Sequence, residues 1–214
     1  MRRTTFYFDG FNFYYGLKNI VSKDPSWKKF YWIDFISLCK QFLGAEQILE
    51  KVYYFTAAPL NIKKQSRQSA LFKANKLING SKFEIIRGKY YKKDLTCPNC
   101  GIVYQKPEEK RTDVNISTYI IGDCALNKTD NLVVITADSD LVPPIQFIKE
   151  NFTDKRIKVY FPPLNSSYDL RNISGRKIVY MENNKRKFTN SIMNDIVYDS
   201  DKTNSATIPA EWKI

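Results

Sequence analysis

Asp9, Asp113, Asp138 and Asp140 are the side chains whose type and placement best suit chemistry. Asp9 directly follows the apolar β-type run Thr4-Thr5-Phe6-Tyr7-Phe8, and Asp138-Ser139-Asp140 directly follows Leu132-Val133-Val134-Ile135-Thr136-Ala137. Carboxylates leaving the ends of two strands can converge although most of the chain separates them. In an open α/β sheet the ligand crevice lies just outside those strand ends. A cluster made only of oxygen ligands suits a hard divalent cation, Mg²⁺ or Mn²⁺. Such an ion relieves the repulsion between packed carboxylates, which otherwise raises their pKa values. The chain contains no histidine. This excludes Ser-His-Asp and Cys-His nucleophiles, paired-histidine cleavage of RNA, and every zinc site built on imidazole. For an enzyme, water activated by a metal is the chemistry the remaining side chains supply best.

The elements that must position these acids follow from periodicity. Residues 4–8, 48–57, 83–92, 132–137 and 157–161 read as strands, and 177–181 as an edge strand. Helical spacing covers residues 11–20, 34–42 with Asp34 as the cap, 61–79, 112–126 and 141–151. A short helix is expected over 166–172 and a last one over 188–197, followed by a polar, loosely attached tail from Tyr198. Residues 94–110 form an insert. Strands alternating with helices predict an α/β fold, Rossmann-like and three-layered, with a mostly parallel central sheet flanked by helices. The 214 residues suffice for one sizeable domain, or one domain with a small appendage.

Lysine and arginine number 34 against 22 acids, a net charge of +12. A basic surface around an acidic pocket fits a polyanionic substrate, since the cations attract phosphates that the acids alone would repel. Solubility is the plainer alternative. No stretch approaches the roughly 20 apolar residues of a membrane span. Met1-Arg2-Arg3 runs straight into a strand pattern without a signal-peptide core, so a cytoplasmic address is expected.

Asp9-Gly10-Phe11-Asn12 with Tyr14-Tyr15-Gly16-Leu17, Arg67-Gln68, Glu108 to Asn115, and Thr136 to Leu141 recur in one order. Together they resemble the NYN domain family, the LabA-like branch of the PIN-like nuclease superfamily, over roughly residues 4 to 164. The resemblance implies a PIN-like fold and metal-dependent cleavage of RNA. It places Asp9, Asp113, Asp138 and Asp140 around Mg²⁺ or Mn²⁺, with Asn12 as a polar neighbour orienting water or a carboxylate. It departs at Tyr119 and Ile120, where many relatives carry a further Asp or His. On this reading residues 1–185 form the nuclease-type domain, with the cysteine insert near 94–110, and residues 186–214 a C-terminal helix and tail.

Each acid has a rival reading. Asp9 can simply bond turn amides, Asp113 can complement a helix dipole, and either Asp138 or Asp140 can cap the helix from Leu141. Cys97-Pro98-Asn99-Cys100-Gly101 is the knuckle half of a zinc ribbon, yet Cys39 and Cys124 lie in apolar helical patterns. Three readings remain for the pair: zinc shared between two chains in a homodimer, a site completed by a carboxylate, or a knuckle without metal. Arg67, Lys64, Lys92, Lys93 and Arg111 are the candidate RNA contacts. Two further function classes stay open. One is a non-catalytic RNA-binding or regulatory module. The other is a phosphatase or nucleotide hydrolase, against which stand the lack of an Asp-x-Asp at Asp9 and of a Walker-type glycine loop.

Overall fold

Side chains of a strand alternate between its two faces, and the central strands here are apolar on both. In the computed structural model, which describes residues 1–175 and 178–213, this produces a sheet with a core on each side. The chain begins with β1 (Arg2–Asp9) and α1 (Gly10–Lys23), passes through a 3₁₀ stretch over Pro25–Tyr31, and continues with α2 (Phe35–Lys40), β2 (Gln47–Thr56) and α3 (Ile62–Asn79). Then come β3 (Phe83–Arg87), β4 (Lys89–Thr96), β5 (Val103–Lys110), α4 (Thr112–Ala125), β6 (Asn131–Ile135), α5 (Val142–Asn151), β7 (Arg156–Phe161) and α6 (Tyr168–Ser174). The last elements are β8 (Val179–Tyr180), α7 (Lys185–Thr189), β9 (Ile196–Tyr198) and β10 (Ser205–Thr207).

Six strands form one parallel sheet in the order β3-β2-β1-β6-β7-β8. Phe6, Phe8, Val133 and Ile135 face one core with Phe13 and Leu17 of α1, Leu38 of α2 and Phe72 of α3. Tyr7, Leu132 and Val134 face the other with Ile116 and Ile120 of α4, Ile145 and Ile148 of α5, and Leu170 of α6. The order reverses between β1 and β6, which pair with Phe8 beside Ile135. Asp9 and Asp138 therefore leave the sheet at its topological switch point, where ligand crevices of this architecture form.

Three local expectations change. The strand expected over 83–92 breaks at Gly88, and its second half pairs with β5 in an antiparallel hairpin standing apart from the main sheet. The helix expected over 188–197 ends at Thr189, and the chain goes on into β9. Phe188 stays in the first core, whereas Met193 and Val197 are claimed by a third cluster, in which they pack with Ala206 and Ile208 around the buried Trp32. The tail beyond Tyr198 is thereby held against the body by the β9–β10 hairpin and by Trp212, which stacks on Tyr31 at 5.5 Å. Within the expected edge strand over 177–181, Lys177 lies outside the described residues, and β8 occupies Val179–Tyr180.

Candidate metal centre and active site

Asp9 ends β1 with an extended backbone and caps α1, its Oδ1 accepting from the amides of Phe11 (3.1 Å) and Asn12 (3.0 Å). Its Oδ2 accepts from Thr136 Oγ1 at 2.9 Å and from the Asn12 side-chain amide. The same Thr136 hydroxyl accepts from the backbone N–H of Asp138 at 3.0 Å, so one side chain ties the ends of β1 and β6 together. Asn165, in the loop after β7, donates to Asn12 Oδ1 at 2.8 Å and fixes the amide that faces Asp9. Asp9 is only 2% exposed. Gly10 makes this close packing feasible, because a Cβ there would meet Tyr54 Cε1 at 2.4 Å and Phe55 O at 2.5 Å.

Asp113 comes from the first turn of α4, and Asp138 caps the short turn Ser139–Leu141 by accepting from the Asp140 amide at 3.0 Å. One carboxylate oxygen from each of Asp9, Asp113 and Asp138 lies within 4.8 Å of the other two. Burial pushes the Asp9 carboxyl above its ordinary pKa, against the lowering effect of its hydrogen bonds from Asn12 and Thr136. Asp113 is pushed up to about 6, first by burial and then by the charges of Asp138, Asp9, Glu109 and Asp140. Three oxygen-donating acids gathered in one place, two of which, Asp9 and Asp113, resist ionisation, make a site which a divalent cation can occupy and relieve.

Asp140 stands outside this cluster of three; it is exposed and shares an open depression with Asp113, Ser117 and Thr118. Asn12 lies beside Asp9 in the arrangement just described. Tyr119, one of the two residues at which the resemblance departs, is packed edge-on against Tyr53 and Phe55 and serves the core. Lys64 and Arg67 line a cavity beside α1, and Arg67 also pairs with Glu211 at 2.7 Å. Lys92 and Lys93 are exposed on β4. Arg111 has a left-handed backbone (φ 84°) at the junction from β5 into α4, with its guanidinium over the Tyr91 ring.

Cys97 and Cys100 sit at the tip of the β4–β5 hairpin, and Cys39 and Cys124 are buried elsewhere. Amides of Asn99 and Cys100 donate toward the Cys97 sulfur and lower its pKa, and Gly101 takes the positive φ (69°) that closes the knuckle. Three residues of the site have roles that a reading of the sequence leaves unassigned. Thr136 and Glu109 fall within stretches that carry the resemblance, but nothing there marks Thr136 as the link between two strand ends or Glu109 as the acceptor from the Thr112 amide (3.2 Å) that starts α4, and Asn165 lies in an ordinary polar loop.

A parallel, doubly wound sheet with acids gathered at its switch point is the architecture of a PIN-like domain, among other doubly wound folds. The NYN domain family model matches residues 3–182, and the chain belongs to that family, a PIN-like nuclease family that supports a hydrolase. It is 28% identical over 194 residues to 6-hydroxy-3-succinoylpyridine 3-monooxygenase HspA of Pseudomonas putida, a match covering 75% of this chain and 59% of that protein. A crystal structure of a protein of unknown function from Vibrio parahaemolyticus superposes with a TM-score of 0.53 at 15% identity, covering 90% of this chain and 96% of that one. The second likeness concerns the fold alone. No described helix is long and apolar enough to cross a membrane.

Proposed function

We propose that the protein is a metal-dependent ribonuclease that hydrolyses RNA phosphodiester bonds, with Asp9, Asp113 and Asp138 holding Mg²⁺ or Mn²⁺. The observation that carries this reading is the convergence of the three carboxylates within 4.8 Å at the switch point of the sheet. Octahedral Mg²⁺ at about 2.1 Å from its ligands sets their oxygens roughly 3–4 Å apart, comparable with that spread. The all-oxygen donor set also fits a hard ion and disfavours a soft one. When bound, such an ion activates water and offsets the charge of the scissile phosphate. Asp9 is held by Asn12 and Thr136 so that its position does not depend on the ligand. Asp140 borders the site beside Asp113, where it can take part in orienting water. Arg67, Lys64, Lys92, Lys93 and Arg111 contact the RNA backbone.

Alanine at Asp9 or at Asp138 should abolish Mn²⁺-stimulated cleavage of a single-stranded RNA while leaving RNA binding intact or tighter. Undiminished cleavage in both variants sinks the assignment. Retention of RNA without turnover under any divalent ion selects the non-catalytic module instead, which the lack of a further acid at Tyr119 or Ile120 favours. A second enzymatic reading comes from the name of the Pseudomonas relative, a 6-hydroxy-3-succinoylpyridine 3-monooxygenase, and from the aromatic cavity whose wall includes Gly10 and Phe11. Turnover of a hydroxypyridine acid with RNA untouched would select it.

A further inference from the structure

The cavity beside α1 has a volume of about 320 Å³. Its wall begins with Gly10 and Phe11, the two residues after Asp9, so it adjoins the acidic site along the chain. Its other contributors come from distant parts of the sequence: Arg67 and Lys64 of α3, Tyr90 of the hairpin, and Trp212 of the C-terminal segment. Trp212 and Tyr31 stack with an interplanar angle of 23°, and Tyr14 lies 5.9 Å from Tyr31. Tyr15, also in the wall, is 50% exposed, more than a packing role calls for. The Glu211 carboxylate holds one edge of the Arg67 guanidinium at 2.7 Å, and a guanidinium has five N–H donors, so the others, which bond no further side chain among the described residues, can meet an anion.

We propose that this cavity is a nucleotide subsite, taking one base of a single-stranded RNA among Tyr14, Tyr15, Tyr31 and Trp212 and its neighbouring phosphate against Arg67 and Lys64. The proposal rests on the RNA reading above and names the form of RNA that the site accepts. Volume, rings and charge each restrict the occupant. A pocket near 300 Å³ is at the small end of ligand sites and admits one nucleotide unit rather than a duplex. Aromatic walls bind any base through its π-face, and a base reaches such a wall only when it is out of a duplex stack. Two cations beside the rings match the phosphate that every nucleotide carries and that an apolar ligand lacks. The subsite is completed by Trp212, so the docked C-terminal segment becomes part of the binding surface.

The test uses the full chain without divalent ions, so that RNA binds uncut, and single-stranded octanucleotides with 2-aminopurine placed at each position in turn. Quenching confined to one position is expected, together with a Kd raised about five- to hundredfold by Tyr15→Ala or Trp212→Ala and nearly restored by Trp212→Phe. An abasic nucleotide at the quenched position should cause the same loss. Tyr15→Ala alters only a half-exposed ring, so its result does not hinge on folding. Uniform quenching, with both alanine variants binding like the wild type, overturns the subsite. Cleavage in Mn²⁺ is scored separately: RNA cut without any quenched position removes the subsite and leaves the nuclease reading, whereas position-specific quenching without cleavage does the reverse. Trp212-dependent binding of nicotinate, with neither RNA nor nucleoside monophosphates bound, overturns the nucleotide assignment.

Discussion

At the scale of single residues, the site depends on a hydroxyl as much as on its acids. Thr136 donates to Asp9 and accepts from the Asp138 amide, joining the two strand ends that carry those carboxylates. Thr136→Val keeps the shape and removes both bonds. Groups that orient metal ligands typically cost ten- to hundredfold in metal affinity when lost. A weakening of Mn²⁺ binding of about that size is expected in a calorimetric titration, with Thr136→Ser restoring it. Asp113 carries a second prediction. Its carboxyl is held at about 6 against an ordinary 3.8, so the folded chain binds this proton more tightly than the unfolded one. The resulting stabilisation is complete below pH 3.8, declines as pH rises toward 6, and is gone above it, where both states are ionised. A cation needs the ionised form. The Mn²⁺-induced rise in Tm should therefore be larger near pH 7.5 than near pH 5. Asp113→Asn should raise the metal-free Tm near pH 7.5 by about 2–4 °C, a figure that allows for solvent screening of a half-buried group, and abolish the response to metal.

At the scale of elements, what the sequence made legible and what it hid have separate physical causes. The strands ending at Asp9 and before Asp138 show as continuous apolar runs because they are buried on both faces, and the convergence of their acids follows from parallel topology. The break at Gly88 is less visible, since residues on both sides favour strands and only tertiary pairing assigns them to different sheets. The β9 and β10 strands, three residues each in polar surroundings, are too short for any period to register, and they exist because Trp32 and Ala74 need covering. The junction of β1 with α1 offers a test of how tightly one such element is placed. Gly10→Ala drives a methyl group into Tyr54 and the Phe55 carbonyl and should cost about 1–3 kcal/mol while shifting the Asp9 cap. At Gly122, inside α4, an added methyl group would meet no described neighbour within 4 Å, so Gly122→Ala should stabilise by about 0.5–1 kcal/mol. Urea denaturation of the two variants checks the opposite signs; equal effects would mean that α1 can slide on the sheet.

At the scale of the molecule, a net charge of +12 surrounds a cluster of acids, and the two must answer differently to salt. The acids act on a bound ion at contact distance, where screening is weak. The lysines of the β4–β5 hairpin are exposed and act on phosphates through water, where screening is strong. Each phosphate contact on a single strand contributes about −0.7 to the slope of log K against log salt. If Lys92 and Lys93 each touch a phosphate, Lys92→Glu/Lys93→Glu should weaken RNA binding at low salt and make that slope shallower by about 1.4. The metal affinity of the same variant should stay at the wild-type value, because neither lysine belongs to the carboxylate cluster. Binding curves measured from about 50 to 300 mM salt distinguish the outcomes. Lines for variant and wild type that run parallel would remove the hairpin from the RNA surface and leave the cations of α3 as the means by which RNA is drawn to the site.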